Sequence, residues 1–169
     1  MSFVKETIST DDLIRLYYKT DDIYNEISEI TAFKASNVPT ADGKPDFDRV
    51  QVSTDEKRHL KQYIKKAVLK IFDVLFKALG EQDLFFTSEI TVAAETFEAS
   101  GGFILDNERY RSINLNVLDS LIQEAIVNYV LQEWYFLKGL PDDSTLHLTK
   151  YNQLLTDISK RSLTFRLPV

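Results

Sequence analysis

Histidines and carboxylates are the side chains of this chain best suited to chemistry. The 169 residues include two histidines, His59 and His147, and no cysteine. No HExxH motif occurs, and neither histidine has a second one four residues away, the spacing that a helical zinc site uses. The absence of cysteine excludes disulfides, thiolate metal sites and cysteine nucleophiles. We therefore interpret both histidines as solvent-exposed helical residues and expect no catalytic, metal or cofactor site.

Three pairs of adjacent aspartates could be imagined as acid/base or metal sites. They are Asp11/Asp12, Asp21/Asp22 and Asp142/Asp143. Each pair stands just before a run with helical apolar spacing, where carboxylates cap a helix and stabilise its dipole. The pattern favours capping over catalysis.

Three further aspartates, Asp42, Asp46 and Asp48 in ADGKPDFD, invite comparison with a calcium loop. The EF-hand spacing is not met, because a proline interrupts it and no glutamate follows at the twelfth position. A plain turn is favoured. No glycine-rich phosphate loop or GxSxG motif occurs either, so the residues themselves support no enzyme.

One predicted helix is strongly basic although the chain carries a net charge of −6. Lys57, Lys61 and Lys65 follow each other at four-residue spacing. Two interpretations remain open: a solvated face balanced by acids on neighbouring elements, or a docking stripe for an acidic partner. Nucleic acid is disfavoured because the whole chain is acidic and no aromatics interleave with the lysines for base stacking. The other basic residues of this helix are Arg58, Lys66 and Lys70.

Three long helices are predicted from apolar residues at the 3.6-residue period. The first covers 53–80, begins at a Ser53/Glu56 capping box and ends at Gly80. The second covers 116–138 and is stopped by Gly139 and Pro141. The third covers 143–160 and is capped by Asp142 or Asp143. The short turn between the last two helices predicts that they lie antiparallel.

The remaining segments predict shorter elements. N-cap residues at Ser9 or Thr10 and at Thr20 indicate one or two short helices in the first fifty residues, and 34–48 has loop composition. Period-two patterns in ITVAAETF, GFILDN and RYRSINLN predict a small antiparallel sheet, to which 47–52 could add.

The fold class expected is mainly α: a bundle of three long helices with short N-terminal helices and a small antiparallel β insertion at about 84–116. We expect one domain over 1–169, with an N-terminal helical and loop segment (1–50) before the bundle (51–169). The first residues lack the features of a secretory signal, and the apolar window 67–76 is shorter than the about 18–20 apolar residues of a membrane span. A cytoplasmic location without membrane contact is expected.

The segment EWYFLKGLPDD contains the one tryptophan, Trp134, followed by Tyr135 and Phe136. At 100° per residue, Trp134 and Leu137 point inward, whereas Tyr135 and Phe136 lie on flanks that a lone amphipathic helix leaves in water. We expect the third helix to cover one flank, through Tyr151, Leu154 and Leu155. The other flank is left to the basic helix, the β insertion or another subunit.

The order of parts from FDRVQVSTDEKRHLKQYIKKAVLKIFDVL through LDSLIQEAIVNYVLQEWYFLKGL to YNQLLTDISKRSLTFRLPV resembles small head-to-tail connector or neck proteins of tailed bacteriophages and prophages. The resemblance covers roughly 47–169, with no matched counterpart for 84–116. It implies a structural, non-enzymatic subunit that forms a ring or adaptor between portal and tail proteins, or completes the tail, as a virion component.

The resemblance also implies where the contacts lie. Trp134, Tyr135 and Phe136 would be partly in the core and partly at a subunit contact. The tail SLTFRLPV (162–169), which includes Phe165 and Arg166, would be an arm that adds as a strand to a neighbour. Three alternatives stay open: a binding or regulatory module that docks an acidic partner on the basic helix, an enzyme assembled from distant acids and tyrosines, and a weak DNA-binding protein.

Overall fold

The chain is mainly helical, as its periodicity predicts. The computed structural model describes residues 13–15, 20–79, 84–86, 103–106 and 115–164, without the side chains of a few of them. A short 3-10 turn, Thr54–Glu56, precedes the third helix. The helices are α1 (Thr20–Asn37), α2 (Phe47–Val50), α3 (Lys57–Leu79), α4 (Leu115–Leu137) and α5 (Pro141–Thr164).

Three short strands form one antiparallel sheet in the order β1-β3-β2. They are β1 (Leu13–Arg15), β2 (Leu84–Phe86) and β3 (Phe103–Asp106). The pairing aligns Ile14 with Leu105 and Phe85 with Ile104. β3 lies in the predicted strand segment GFILDN, whereas ITVAAETF and 107–114 lie outside the described residues, as do Gly80, Asp11 and Asp12.

Several N-terminal predictions are wrong. Residues 13–15 pair with β3 instead of continuing a helix, since long-range pairing overrides a local capping signal. The segment 47–52 adds no strand, because α2 occupies its first four residues. The helix after Thr20 is not short: α1 has 18 residues and passes the predicted loop start at Lys34. Packing explains its length, since Ile23, Ile27, Thr31 and Ala35 form a buried stripe along it.

The start of α3 follows the predicted capping box. The Glu56 carboxylate accepts hydrogen bonds from the Ser53 amide at 3.0 Å and the Ser53 hydroxyl at 2.9 Å. These bonds close the 3-10 turn, so that the α-helix proper begins at Lys57. Local sequence therefore defines this helix start to within a turn.

The connection between α4 and α5 is a Schellman turn. Gly139 has a φ of 70°. The Leu140 amide donates to the Tyr135 carbonyl at 2.9 Å and the Gly139 amide to the Phe136 carbonyl at 3.2 Å. Pro141, which the sequence predicts to follow the end of α4, is the first residue of α5, where its missing N–H costs nothing. Asp142 and Asp143 accordingly lie in the first turn instead of capping it.

α4 is the central helix. All seven residues from 125 to 131 are buried, so this stretch has no solvent face. A helix buried on every side must be covered by several elements. α3 and α5 supply much of that cover, and α1 adds a hydrogen bond from the Gln123 amide to the Glu26 carboxylate at 2.8 Å.

Candidate functional site

Trp134 is an internal anchor. Its side chain is fully buried, and its indole N–H donates to the Val50 carbonyl at 2.8 Å. The Lys138 ammonium lies 4.4 Å from the indole ring centre and 2.7 Å from a Glu56 carboxylate oxygen. Trp134 thus ties the segment before α3 to the end of α4, and none of its surface remains for a subunit contact.

Further hydrogen bonds hold the segment before α3 against α1. The Val52 amide donates to the Thr31 hydroxyl at 3.2 Å, and that hydroxyl donates to the Ile27 carbonyl at 2.9 Å. Burial alone would raise the pKa of the Glu56 carboxyl, but hydrogen bonds from Lys138 and Ser53 outweigh burial and lower this pKa. The charged form of Glu56 is therefore part of the folded structure.

Tyr135 is also buried, against α5. Its ring centre lies 5.4 Å from that of His147, whose Nδ1–H donates to the Asn128 amide oxygen at 2.8 Å. The prediction of a solvent-exposed His147 is therefore wrong, and burial lowers the pKa of its imidazole to about 4. His59 is exposed, as predicted. The flank of Tyr135 is covered by α5, as expected, but through His147.

Exposed apolar side chains concentrate where α4 ends. Phe136 is 72% exposed, and Leu137 is 58% exposed instead of pointing inward. The Schellman turn ends α4 before another element covers its last residues. The hydrogen bond of Trp134 to Val50 brings α2 to the end of α4, and α5 begins at the same end. Five large apolar side chains on these segments are exposed, and we call them together the apolar end: Phe47, Phe136, Leu137, Leu146 and Leu148.

The basic face of α3 is only partly open. The Lys57 ammonium lies 3.5 Å from a carboxylate oxygen of Asp21 and 4.4 Å from the Tyr24 ring centre, both on α1. Lys61 is partly buried, and Lys65 is exposed. The three predicted docking lysines therefore do not form one uniform stripe, because α1 lies beside its first residue. Phe165 and Arg166 lie outside the described residues.

An open groove separates α3 from α5, with a volume of about 440 Å³. Tyr151 packs at 5.2 Å between ring centres against Tyr129, and its buried hydroxyl has no hydrogen-bond partner in the described part of the chain. The Lys70 ammonium lies 4.5 Å from the Tyr129 ring centre. Sequence patterns did not indicate this groove, because its walls lie some 80 residues apart in the chain. The groove is lined by Leu69, Lys70, Asp73, Val74, Tyr151, Asn152 and Leu155.

One buried acid was also missed. Asp119 lies near the start of α4, and burial raises the pKa of its carboxyl to about 7. Its Oδ1 atom has no hydrogen-bond partner within the described ranges. No group of three or more histidine, aspartate or glutamate side chains there is arranged to hold a metal ion. None of the helices described combines the length and apolar character needed to cross a membrane.

Comparisons with known proteins identify no relative. No protein-family model, no curated protein and no solved structure matches this chain.

Proposed function

We propose that this chain is a non-enzymatic assembly subunit that works through contacts with other protein subunits. The observation that carries this proposal is the exposure of two consecutive large apolar side chains of the apolar end, Phe136 and Leu137, directly after the buried Trp134 and Tyr135. Clustered apolar exposure marks sites of protein association more often than isolated exposed residues do. The resemblance to head-to-tail connectors gives the class of partner: further copies of the chain, or portal- and tail-type proteins.

The two buried aromatic side chains before Phe136 support this proposal. Trp134 and Tyr135 hold the end of α4 rigidly against Val50 and His147. Phe136 follows directly and is presented from a fixed helix end, which reduces the entropy lost when a partner binds it. In this proposal α3, α4 and α5 form the bundle, 84–116 is carried on it as a β insertion, and the protein acts in the cytoplasm or in a virion.

The test measures self-association of the full chain by sedimentation velocity over a wide concentration range. We expect the wild-type protein to associate and the double variant Phe136→Ser, Leu137→Ser to dissociate at least tenfold more readily, as on loss of an interface anchor worth about 1.4 kcal/mol or more. Thermal unfolding should hardly change, because both side chains are exposed. Gln62→Ser, an exposed change on α3, is the control.

A wild-type chain that stays monomeric at every concentration would contradict self-assembly, and association unaffected by the double variant would exclude the apolar end as its site. The alternative, a module that docks an acidic partner on α3, is favoured by the exposure of Lys65 and Lys66. Its signature is partner binding that weakens with salt and is lost on reversal of Lys57, Lys61 and Lys65 to glutamate.

A further inference from the structure

The groove between α3 and α5 combines apolar and charged side chains. Leu69, Val74 and Leu155 supply an apolar lining, and Leu69 is 45% exposed. Lys70 stands in the lining, and Lys66 lies one turn before it on the exposed side of α3. Asp73 also lines the groove, but its carboxylate is paired with Lys77 on the same helix. An open apolar groove with a cationic rim fits an amphipathic helix that has an acidic flank.

The outward side of α1 has this composition. Asp21, Asn25, Glu29 and Phe33 follow each other at four-residue spacing and are all exposed. Phe33 is 75% exposed, more than any other large apolar side chain in the described ranges, and Glu29 precedes it by one turn. Residues four apart share one face of a helix, so α1 presents an aromatic side chain and a carboxylate together.

α1 of the same chain is committed elsewhere. The Lys34 ammonium is bound to Asp143 at 2.7 Å, Glu26 accepts from Gln123, and Thr31 accepts from Val52. These contacts, together with the Asp21–Lys57 ion pair, hold α1 against its own chain, while Phe33 is turned to solvent. A second copy can offer Glu29 and Phe33 to the groove without breaking any of them.

We propose that α1 of one copy docks into the α3–α5 groove of the next, with Phe33 on the apolar lining and Glu29 beside Lys66 and Lys70. This inference rests on the proposed assembly function and names its partner, a second copy of this chain. The donor and acceptor surfaces differ, so the contact is heterologous, and repetition builds a closed ring or an open chain.

Complementation between two defective proteins tests the docking. Phe33→Ser removes the donor and keeps the groove, whereas Lys66→Glu with Lys70→Glu removes the acceptor and keeps the donor. Each protein alone should self-associate at least about tenfold more weakly than wild type in sedimentation velocity. Mixed together, with Phe136→Ser and Leu137→Ser added to both so that the apolar end does not contribute, they should form a one-to-one complex that grows no further, because only one productive contact remains.

A charge exchange separates docking from misfolding. Glu29→Lys alone should weaken association, and the same change combined with Lys66→Glu and Lys70→Glu should restore it, since opposite charges then face each other again. Wild-type-like association of both single-surface proteins, or a mixture that forms no complex, overturns this docking while the assembly function stands. A wild-type chain that never associates overturns the assembly function as well.

Discussion

At the scale of single residues, Trp134 shows how burial redefines a side chain. A helical wheel of one helix cannot distinguish a tryptophan in the core from one at a subunit interface, because both lie on an apolar face of the helix. The hydrogen bond from its indole N–H to the Val50 carbonyl makes this distinction, because the acceptor belongs to the same chain, 84 positions away. Phe136, two residues later, is the aromatic of this segment that a partner can reach.

His147 gives the molecule a pH dependence that its sequence does not indicate. The pKa of its imidazole is about 4 in the folded chain and 6.5 ordinarily. Between these values His147 binds more protons in the unfolded chain, so its contribution to the free energy of unfolding falls as the pH falls from 6.5 towards 4, whereas the raised pKa of Asp119 acts in the opposite direction. His147→Gln should remove the His147 contribution, so that in urea unfolding at several pH values the free energy of unfolding of the variant rises relative to wild type as the pH falls from 6.5 towards 4. The exposed His59→Gln serves as control, and an unchanged slope in His147→Gln would contradict the burial of His147.

At the scale of elements, the turn between α4 and α5 depends on a glycine. Gly139 has a φ of 70°, and a Cβ atom added there would meet nothing within 4 Å. Only the backbone conformation is therefore strained in Gly139→Ala, at a cost of about 1–2 kcal/mol. We expect this loss in the free energy of unfolding, and a smaller loss for Gly139→Asn, which tolerates the left-handed region better. Equal losses for both variants would argue against backbone strain.

At the scale of the whole molecule, the central position of α4 reverses the burial expected of two leucines. Leu137 lies on the helix face that the sequence predicts to point inward, yet it is 58% exposed. Leu131 lies off that face and is 1% exposed. Leu131→Ala should cost about 2–5 kcal/mol of unfolding free energy through the lost burial and the cavity. Leu137→Ala should change it by less than about 0.5 kcal/mol. Chemical denaturation of the two variants checks the pair, and similar losses would contradict the central helix.

The candidate surfaces are likewise properties of the whole molecule. The apolar end combines α2, the last turn of α4 and the first turns of α5, and the groove combines α3 with α5. Sequence patterns indicated Phe136 as a surface residue and the basic character of α3. They did not indicate Leu146, Leu148 or the lining of the groove, because these sets exist only once distant segments pack together.

The sequence by itself determined the positions of α3, α4 and α5 to within a few residues, the capping box at Ser53 and Glu56, and the glycine turn after α4. These features depend on interactions between residues at most five positions apart, which local chemistry specifies. Only the tertiary structure decided the length of α1, the burial of Trp134 and Leu131, the partial burial of His147, and the exposure of Leu137 and Phe33. The reason is physical: whether a side chain meets water depends on elements packed against it from elsewhere in the chain, and periodicity within one helix carries no record of those neighbours.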